Sequence, residues 1–149
     1  MSLTEKISAD LIAAMKGGDK VALEAIRAAK TAFLLAKSEK GQEALTSDEE
    51  LKVIQKLVKQ RRESAEIYVQ NNRPELATKE KAEADILAKY LPEKISPGEL
   101  EKILKEIIAK TGAKSPADMG KVMGMASKEL AGRAEGREIS AKVKELLSQ

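Results

Sequence analysis

The sequence predicts an all-α fold in two helical domains, and three observations support this. Apolar residues recur at three- and four-residue spacings through successive stretches, as on one face of an α-helix. Hydrophobic residues make up 42% of the 149 residues but aromatic ones only 2%, which indicates an aliphatic core. Glycine and proline lie between the periodic stretches, at the positions where helices are expected to begin and end. We expect an N-terminal four-helix domain, residues 1–93, and a smaller C-terminal three-helix domain, residues 96–149.

Two amphipathic helices are predicted first. The apolar positions of the first helix recur every four residues: Leu3, Ile7, Leu11 and Met15. Gly17-Gly18 ends this helix, and Asp19 is placed to cap the second. The apolar residues of the second helix fall near one face: Leu23, Ile26, Phe33 and Leu34. The polar segment from Lys37 to Gln42 is predicted to be a loop.

A long third helix follows. Ser47 and Glu50 match the capping-box pattern, and apolar residues then keep a helical period for about six turns. One face collects cations: Lys52, Lys56, Lys59 and Arg62. We interpret this face as solvated rather than as a binding stripe, because acidic residues are interspersed with the cations. The segment Asn71-Asn72-Arg73-Pro74 breaks the helix, and Pro74 suits the first turn of a fourth helix.

An acidic group in the fourth helix, Glu80, Glu83 and Asp85, suggests a metal site or a general acid. Lysines surround it, and an oxygen-ligand metal site usually needs more carboxylates or carbonyls. We therefore predict a solvated helix face and no metal site.

The C-terminal helices carry clear start and stop signals. The proline-containing segment from Tyr90 to Gly98 is the best domain boundary. Ser96 with Glu99 marks one helix start, and Thr111-Gly112 ends that helix. Ser115, Pro116 and Asp118 mark a second start. A last short helix is predicted from Glu138 to Leu147.

The absence of histidine and cysteine excludes most catalytic devices. Without them the chain has no Cys/His zinc site, thiolate nucleophile or Ser-His-Asp triad. We predict no catalytic residue and no cofactor, so that the isolated chain is not an enzyme. No stretch has the hydrophobic length of a signal peptide or a membrane span, which predicts a cytoplasmic protein without a membrane partner.

The glycine-rich stretch from Ser115 to Ser140 is the most specific feature. Gly120 and Gly124 lie four residues apart, so they would leave a bare strip on one helical face where another backbone can approach. Tight helix packing is one explanation and the approach of a phosphate backbone is the other. The stretch does not match a Walker phosphate loop, because Ser115 and Val122 stand where glycine and Ser or Thr are required.

The charge of this stretch favours a phosphate partner. From Lys110 to Arg137 there are six basic residues and three acidic ones, a net charge of +3. This equals the net charge of the whole chain, so the positive excess is concentrated in this segment. With so few aromatic residues, phosphate and shape contacts are expected rather than base stacking. The predicted nucleic-acid-binding residues are Lys114, Gly120, Lys121, Gly124, Lys128, Arg133 and Arg137.

Several motifs resemble the GatB/YqeY-like proteins. They are Lys59-Gln60-Arg61 with Ser64 and Tyr68, Tyr90-Leu91-Pro92, Asp118-Met119-Gly120-Lys121-Val122-Met123, and Gly132-Arg133-Ala134. Glu135 stands where the family pattern has aspartate. The resemblance implies two helical domains, of which the C-terminal one is similar to the tail of the B subunit of glutamine-dependent aminoacyl-tRNA amidotransferase, a tail that engages tRNA.

Three functions remain open from the sequence. The first is a non-catalytic module that binds tRNA or another structured RNA. The second, implied by the resemblance, is an accessory component of an amidotransferase, a carbon-nitrogen ligase with glutamine as amido-N-donor. The third is an adaptor that binds a protein partner through the N-terminal helices and the face that carries Met119, Met123 and Met125.

Overall fold

The computed structural model describes residues 1–148, and all regular structure within them is helical. The all-α prediction is confirmed. Seven α-helices and one 3₁₀ turn at Pro116–Asp118 lie in this range. The α-helices are α1 (Leu3–Gly17), α2 (Lys20–Lys40), α3 (Ser47–Gln70), α4 (Pro74–Ala88), α5 (Pro97–Thr111), α6 (Met119–Glu129) and α7 (Gly136–Leu147).

The chain divides into two compact units, with the division between Leu91 and Pro92. The first unit holds α1 to α4, in which α3 and α4 share the most extensive contact and α2 contacts the other three helices. That each unit folds independently stays a prediction. The core of the first unit is aliphatic except for one ring, and consists of Ile7, Ala25, Ile26, Ala29, Phe33, Ile54, Val58, Ala84 and Leu87.

Helix ends follow the local signals in most places. Gly18 and Gly112 adopt left-handed backbone angles directly after α1 and α5, which glycine tolerates at little cost. Asp19 accepts a hydrogen bond from the backbone N–H of Ala22, and Ser96 accepts one from Glu99. These caps and stops confirm the predicted starts of α2 and α5 and the predicted ends of α1 and α5.

The predicted loop from Lys37 to Gln42 is wrong, because α2 continues to Lys40. Gly41, at a φ of 63°, is the residue that ends the helix. Lys37 and Lys40 lie in the last turn, where cations interact favourably with the negative end of the helix dipole. Polar composition alone therefore did not indicate a break in the helix.

The predicted capping box of α3 is also wrong, by one residue. Thr46, not Ser47, accepts a hydrogen bond from the backbone N–H of Glu49, whose carboxylate accepts one from the N–H of Thr46. Glu50 instead turns inward and is buried. Its carboxylate accepts hydrogen bonds from both the N–H and the hydroxyl of Thr4, each at 2.6 Å, in the first turn of α1. Glu50 thus stabilises the start of another helix.

Two neighbouring apolar residues of α2, Phe33 and Leu34, differ in their burial. Phe33 is buried, whereas Leu34, predicted to lie near the same face, is 55% exposed. Consecutive helical residues differ by about 100° in direction, so only one of the two points into the core. Met15, at the end of the apolar series of α1, is likewise exposed.

The second unit, from Pro92 onward, packs α5, α6 and α7 around its own core. Met119 and Met123 pack against this core, while Met125 is exposed. The last helix begins at Gly136, one half-turn before the predicted Glu138. The buried core residues are Ile95, Leu100, Leu104, Ile107, Val122, Ala126, Leu130, Ala134, Ile139, Val143 and Leu147.

Candidate nucleic-acid interface

The α6 helix presents two opposite faces. Val122 and Ala126, four residues apart, are buried in the core of the second unit. The opposite face is exposed and carries Gly120, Lys121, Gly124, Met125 and Lys128, with the exposed Glu129 four residues after Met125. Spacings of three and four residues place these positions next to one another along the helix. Four of the seven predicted nucleic-acid-binding residues therefore share one exposed surface, called the α6 face below.

The backbone of the α6 face is open at both glycines. A Cβ atom built on Gly120 or on Gly124 would meet no other group within 4 Å. Tight packing within the described chain is therefore not the reason for these glycines. A glycine in the middle of a helix costs roughly 0.5 to 1 kcal/mol relative to alanine, and at Gly124 no internal contact compensates for that cost.

Lys114 lies close to the start of the α6 face through Asp118. The backbone N–H groups of Lys114 and Ser115 donate hydrogen bonds to Asp118 Oδ2, at 3.0 and 3.4 Å. These two bonds lower the pKa of Asp118, and the positive charges of Lys121 and Lys114 lower it further. The two backbone donors are thus already occupied, so a phosphate would be met by the lysine side chains.

Arg133 is held inside the second unit. Its Nε donates to the backbone carbonyl of Glu93 at 3.3 Å, and its terminal nitrogen lies 3.4 Å from a carboxylate oxygen of Glu99. The carbonyl of Arg133 accepts a hydrogen bond from the N–H of Ile95, a core residue. Arg133 therefore anchors the segment that precedes α5, and its guanidinium is largely engaged there.

Arg137 is the most exposed arginine of the predicted set. Its side chain is 77% exposed and pairs with the neighbouring Glu135 at 3.2 Å. Arg137 lies in the first turn of α7 rather than on α6. The structure therefore assembles Gly120, Lys121, Gly124 and Lys128, places Lys114 near their start, and leaves the two arginines on other elements.

Met125 was not predicted as part of this surface. It is 41% exposed and lies four residues after Lys121, so the same helical spacing that selects Gly124 and Lys128 also selects it. The sequence suggested Met125, with Met119 and Met123, only as part of a face that binds a protein partner. Its apolar side chain adds an adaptable contact between the two lysines.

The predicted solvated acidic face of α4 is wrong for Glu83, whereas Asp85 is exposed and Glu80 is half-buried. Glu83 is 6% exposed, and its carboxylate lies 3.7 Å from Arg61 Nε on α3. Burial raises the pKa of Glu83, and the positive charge of Arg61 partly opposes that rise. The prediction failed because the partner, Arg61, lies 22 positions earlier in the chain, beyond the reach of a pattern within one helix.

Among residues 1–148, no group of three or more acidic side chains is placed to hold a metal ion. Across the same residues no helix has both the length and the apolar composition needed to cross a bilayer.

The cationic residues predicted to form a solvated face on α3 are all exposed: Lys52, Lys56, Lys59 and Arg62.

Comparison with known proteins gives two matches. The family model described as Yqey-like protein matches residues 4–147. A curated protein of Pyrenophora tritici-repentis (strain Pt-1C-BFP), Altered inheritance of mitochondria protein 41, mitochondrial, is 31% identical over 148 residues. That alignment covers 95% of this chain and 79% of the relative. Both matches extend through both compact units.

Proposed function

Because the chain belongs to the Yqey-like protein family, we propose that it is a non-catalytic helical module that binds the phosphate backbone of tRNA or another structured RNA. The α6 face is the proposed contact surface. The observation that carries the proposal is the combination of two open glycines with flanking exposed lysines, for which the described fold supplies no internal reason.

The chemistry of the α6 face suits phosphate rather than bases. Lys121 and Lys128 are about 10.5 Å apart along the helix axis, given a rise of about 1.5 Å per residue. The bare backbone at Gly120 and Gly124 lets a sugar-phosphate chain approach between them. Binding of this kind releases counterions, carries little sequence preference and weakens with salt.

Charge reversal on the α6 face tests the proposal. The variant Lys121→Glu/Lys128→Glu should weaken binding to unfractionated tRNA by at least about tenfold, because two phosphate contacts become repulsive. Fluorescence anisotropy at low ionic strength measures the affinity. Circular dichroism should show unchanged helicity, since both side chains are exposed and form no ion pair within residues 1–148.

A matched control lies on α3. Lys52 and Lys56 are also two exposed lysines on one helical face, so Lys52→Glu/Lys56→Glu changes the net charge of the chain equally. This control should reduce tRNA binding less than the α6 variant does. Equal losses in the two variants would mean that binding follows net charge, and the α6 face would then have no special role.

The relation to amidotransferases forms part of the proposal. We propose that the second unit resembles the tRNA-engaging tail of the amidotransferase B subunit and acts without amidation chemistry of its own. The purified chain should therefore show no glutamine-dependent amidation of misacylated tRNA. If it raises the rate of an added amidotransferase without any turnover alone, the accessory role is favoured.

A cytoplasmic site of action is also proposed. The relative from Pyrenophora tritici-repentis carries the word mitochondrial in its name, which describes that protein. Fractionation of cells that produce the tagged full-length chain tests the location. Recovery of the chain with an organelle fraction, protected from added protease, would contradict the cytoplasmic proposal.

A protein-interaction adaptor is the second candidate function, and exposed apolar side chains in the first unit favour it. At least half of each of these side chains is exposed: Ile12, Met15, Leu34, Leu35, Ile67 and Val69. A pull-down with the full chain separates the two functions. Partners that persist after nuclease treatment and at high salt support the adaptor, and partners lost under nuclease support the RNA contact.

A further inference from the structure

An open cavity of about 470 Å³ lies between α3 and α4 in the first unit. Its size falls within the usual range of small-molecule sites, about 300 to 1,000 Å³. Three of its lining residues belong to the Lys59-Gln60-Arg61 and Ser64 motif that carried the family resemblance. The lining residues are Gln60, Arg61, Glu63, Ser64, Ile67 and Glu80.

Arg61 is the unusual group of this cavity. Its side chain is 18% exposed, yet within residues 1–148 its guanidinium makes no hydrogen bond, and its buried Nε has only an ion-pair contact. The nearest carboxylate, that of Glu83, is 3.7 Å away, too far for a hydrogen bond. Nε itself is too buried to be reached from the cavity, so an incoming acceptor would meet the terminal nitrogens of Arg61, whose hydrogen bonds to a charged acceptor are worth about 1.5–3 kcal/mol each.

The acceptor that best suits a guanidinium is a planar carboxylate, which can take two parallel hydrogen bonds. A ligand with only a carboxylate would be repelled, however, because Glu63 and Glu80 also line the cavity and the carboxylate of Glu83 lies 3.7 Å from Arg61 Nε. A positive charge on the same ligand would offset that repulsion. The cavity therefore complements a molecule that carries both charges.

We propose that the cavity between α3 and α4 binds a small zwitterion of the α-amino-acid class. Its carboxylate contacts Arg61, with Gln60 and Ser64 as further donors. Its ammonium group faces the carboxylate of Glu80 on α4. The side chain of the ligand lies toward Ile67, the one apolar residue of the lining. This site lies in the first unit and does not depend on the proposed RNA contact in the second.

The test compares three probes of similar shape by NMR titration of the isotope-labelled full chain. L-Valine carries both charges, isobutylamine lacks the carboxylate, and isovalerate lacks the ammonium group. L-Valine should shift the backbone amide signals of Ser64, Ile67 and Glu80 and the Nε–H signal of Arg61. Each analogue should bind about tenfold more weakly or worse, because each loses one charge-assisted contact.

Variants locate the contact. Arg61→Lys keeps the charge but loses the planar pair of donors, so it should weaken L-valine binding by about tenfold. Arg62→Lys, at an exposed neighbouring position, should leave binding unchanged. Ser64→Ala serves as a second lining variant if Arg61→Lys unfolds. The proposal is overturned if L-valine causes no saturable shifts at these residues, if the two analogues bind as well as L-valine, or if the folded lining variants bind it unchanged.

Discussion

Charged side chains have different environments in the first unit and on the α6 face. In the first unit, Glu50 and Glu83 turn inward and face groups on other helices. On the α6 face, Lys121 and Lys128 have no ion-pair partner within residues 1–148. Glu50 therefore helps to join two helices of the first unit, while the charges of Lys121 and Lys128 on α6 are available to an outside molecule.

Tyr90 shows the same assembling role at the end of the first unit. Its hydroxyl donates a hydrogen bond to Asp10 on α1, and Lys6 lies over its ring at 5.6 Å from the centroid. Burial is the largest cause that raises the pKa of Tyr90, and the hydrogen bond to Asp10 raises it further. The motif Tyr90-Leu91-Pro92, noted first for its family resemblance, thus fixes the chain after α4 to the first helix.

The largest effect on stability should come from Glu50→Ala. This change removes both hydrogen bonds to Thr4 and the negative charge near the start of α1, so the free energy of unfolding should fall by about 2 kcal/mol. Urea denaturation measures it. Glu66→Ala, at an exposed position of the same helix, should change stability by less than about 0.5 kcal/mol. Similar effects of the two variants would contradict the role of Glu50.

Gly124→Ala should separate stability from function on the α6 face. The added methyl group meets nothing within 4 Å, so the variant should gain about 0.5 to 1 kcal/mol of stability. The same methyl group should hinder the approach of an RNA backbone and weaken tRNA binding. Gly98→Ala, in open space on α5, is the matched control and should leave binding unchanged. Unaltered tRNA affinity in Gly124→Ala would remove the proposed reason for the glycine.

Arg133 and Lys121 were predicted to act alike, and the structure separates them. Arg133→Gln removes the donor to Glu93 and the ion pair with Glu99, so it should cost about 0.5 to 1 kcal/mol. Lys121→Gln should alter stability by less than about 0.5 kcal/mol while weakening tRNA binding. Thermal and urea unfolding measure the first difference. Greater destabilisation by Lys121→Gln than by Arg133→Gln would reverse the assignment.

Two acidic residues should show smaller, opposite pH effects. The pKa of Glu83 is raised above its ordinary value of 4.5, so its ionisation reduces stability as pH rises from about 4.5 toward neutrality. The pKa of Asp118 is lowered below 3.8, so its contribution is present above that pH and is lost as pH falls through the lowered value.

Urea denaturation of each variant and of the wild type across this pH range tests the signs. Relative to Glu83→Gln, the wild type should lose stability as pH rises from 4.5 through the raised pKa of Glu83. Relative to Asp118→Asn, it should gain stability as pH rises through the region below 3.8. Identical signs for the two comparisons would contradict the assigned environments.

Local signals in the sequence were sufficient for the helices but not for their contacts. Gly18, Gly112, Asp19 and Ser96 end or cap helices as predicted because each acts on backbone groups a few residues away. The buried position of Glu50 depends on hydrogen bonds from Thr4, which lies 46 positions earlier. No capping pattern contains that information.

In the candidate site, too, the sequence predicts the features within one helix but not the contacts between helices. Helical spacing alone predicts that Gly120, Lys121, Gly124 and Lys128 are neighbours, because they belong to one helix. It does not indicate that Arg133 is held by Glu93 and Glu99, or that Arg61 faces Glu83 across two helices. Those contacts arise only once helices pack together.

The salt dependence of tRNA binding tests the central claim most directly. The slope of log affinity against log salt reports the number of phosphates that the protein neutralises, at about 0.7 to 0.9 per contact. The wild type should lose more than about tenfold in affinity between about 50 and 200 mM salt. In Lys121→Gln/Lys128→Gln the slope should be smaller by about 1.4 to 1.8, the share of two phosphate contacts. Equal slopes for the two proteins, or no salt-sensitive binding by the wild type, would contradict the proposal that the α6 face binds RNA.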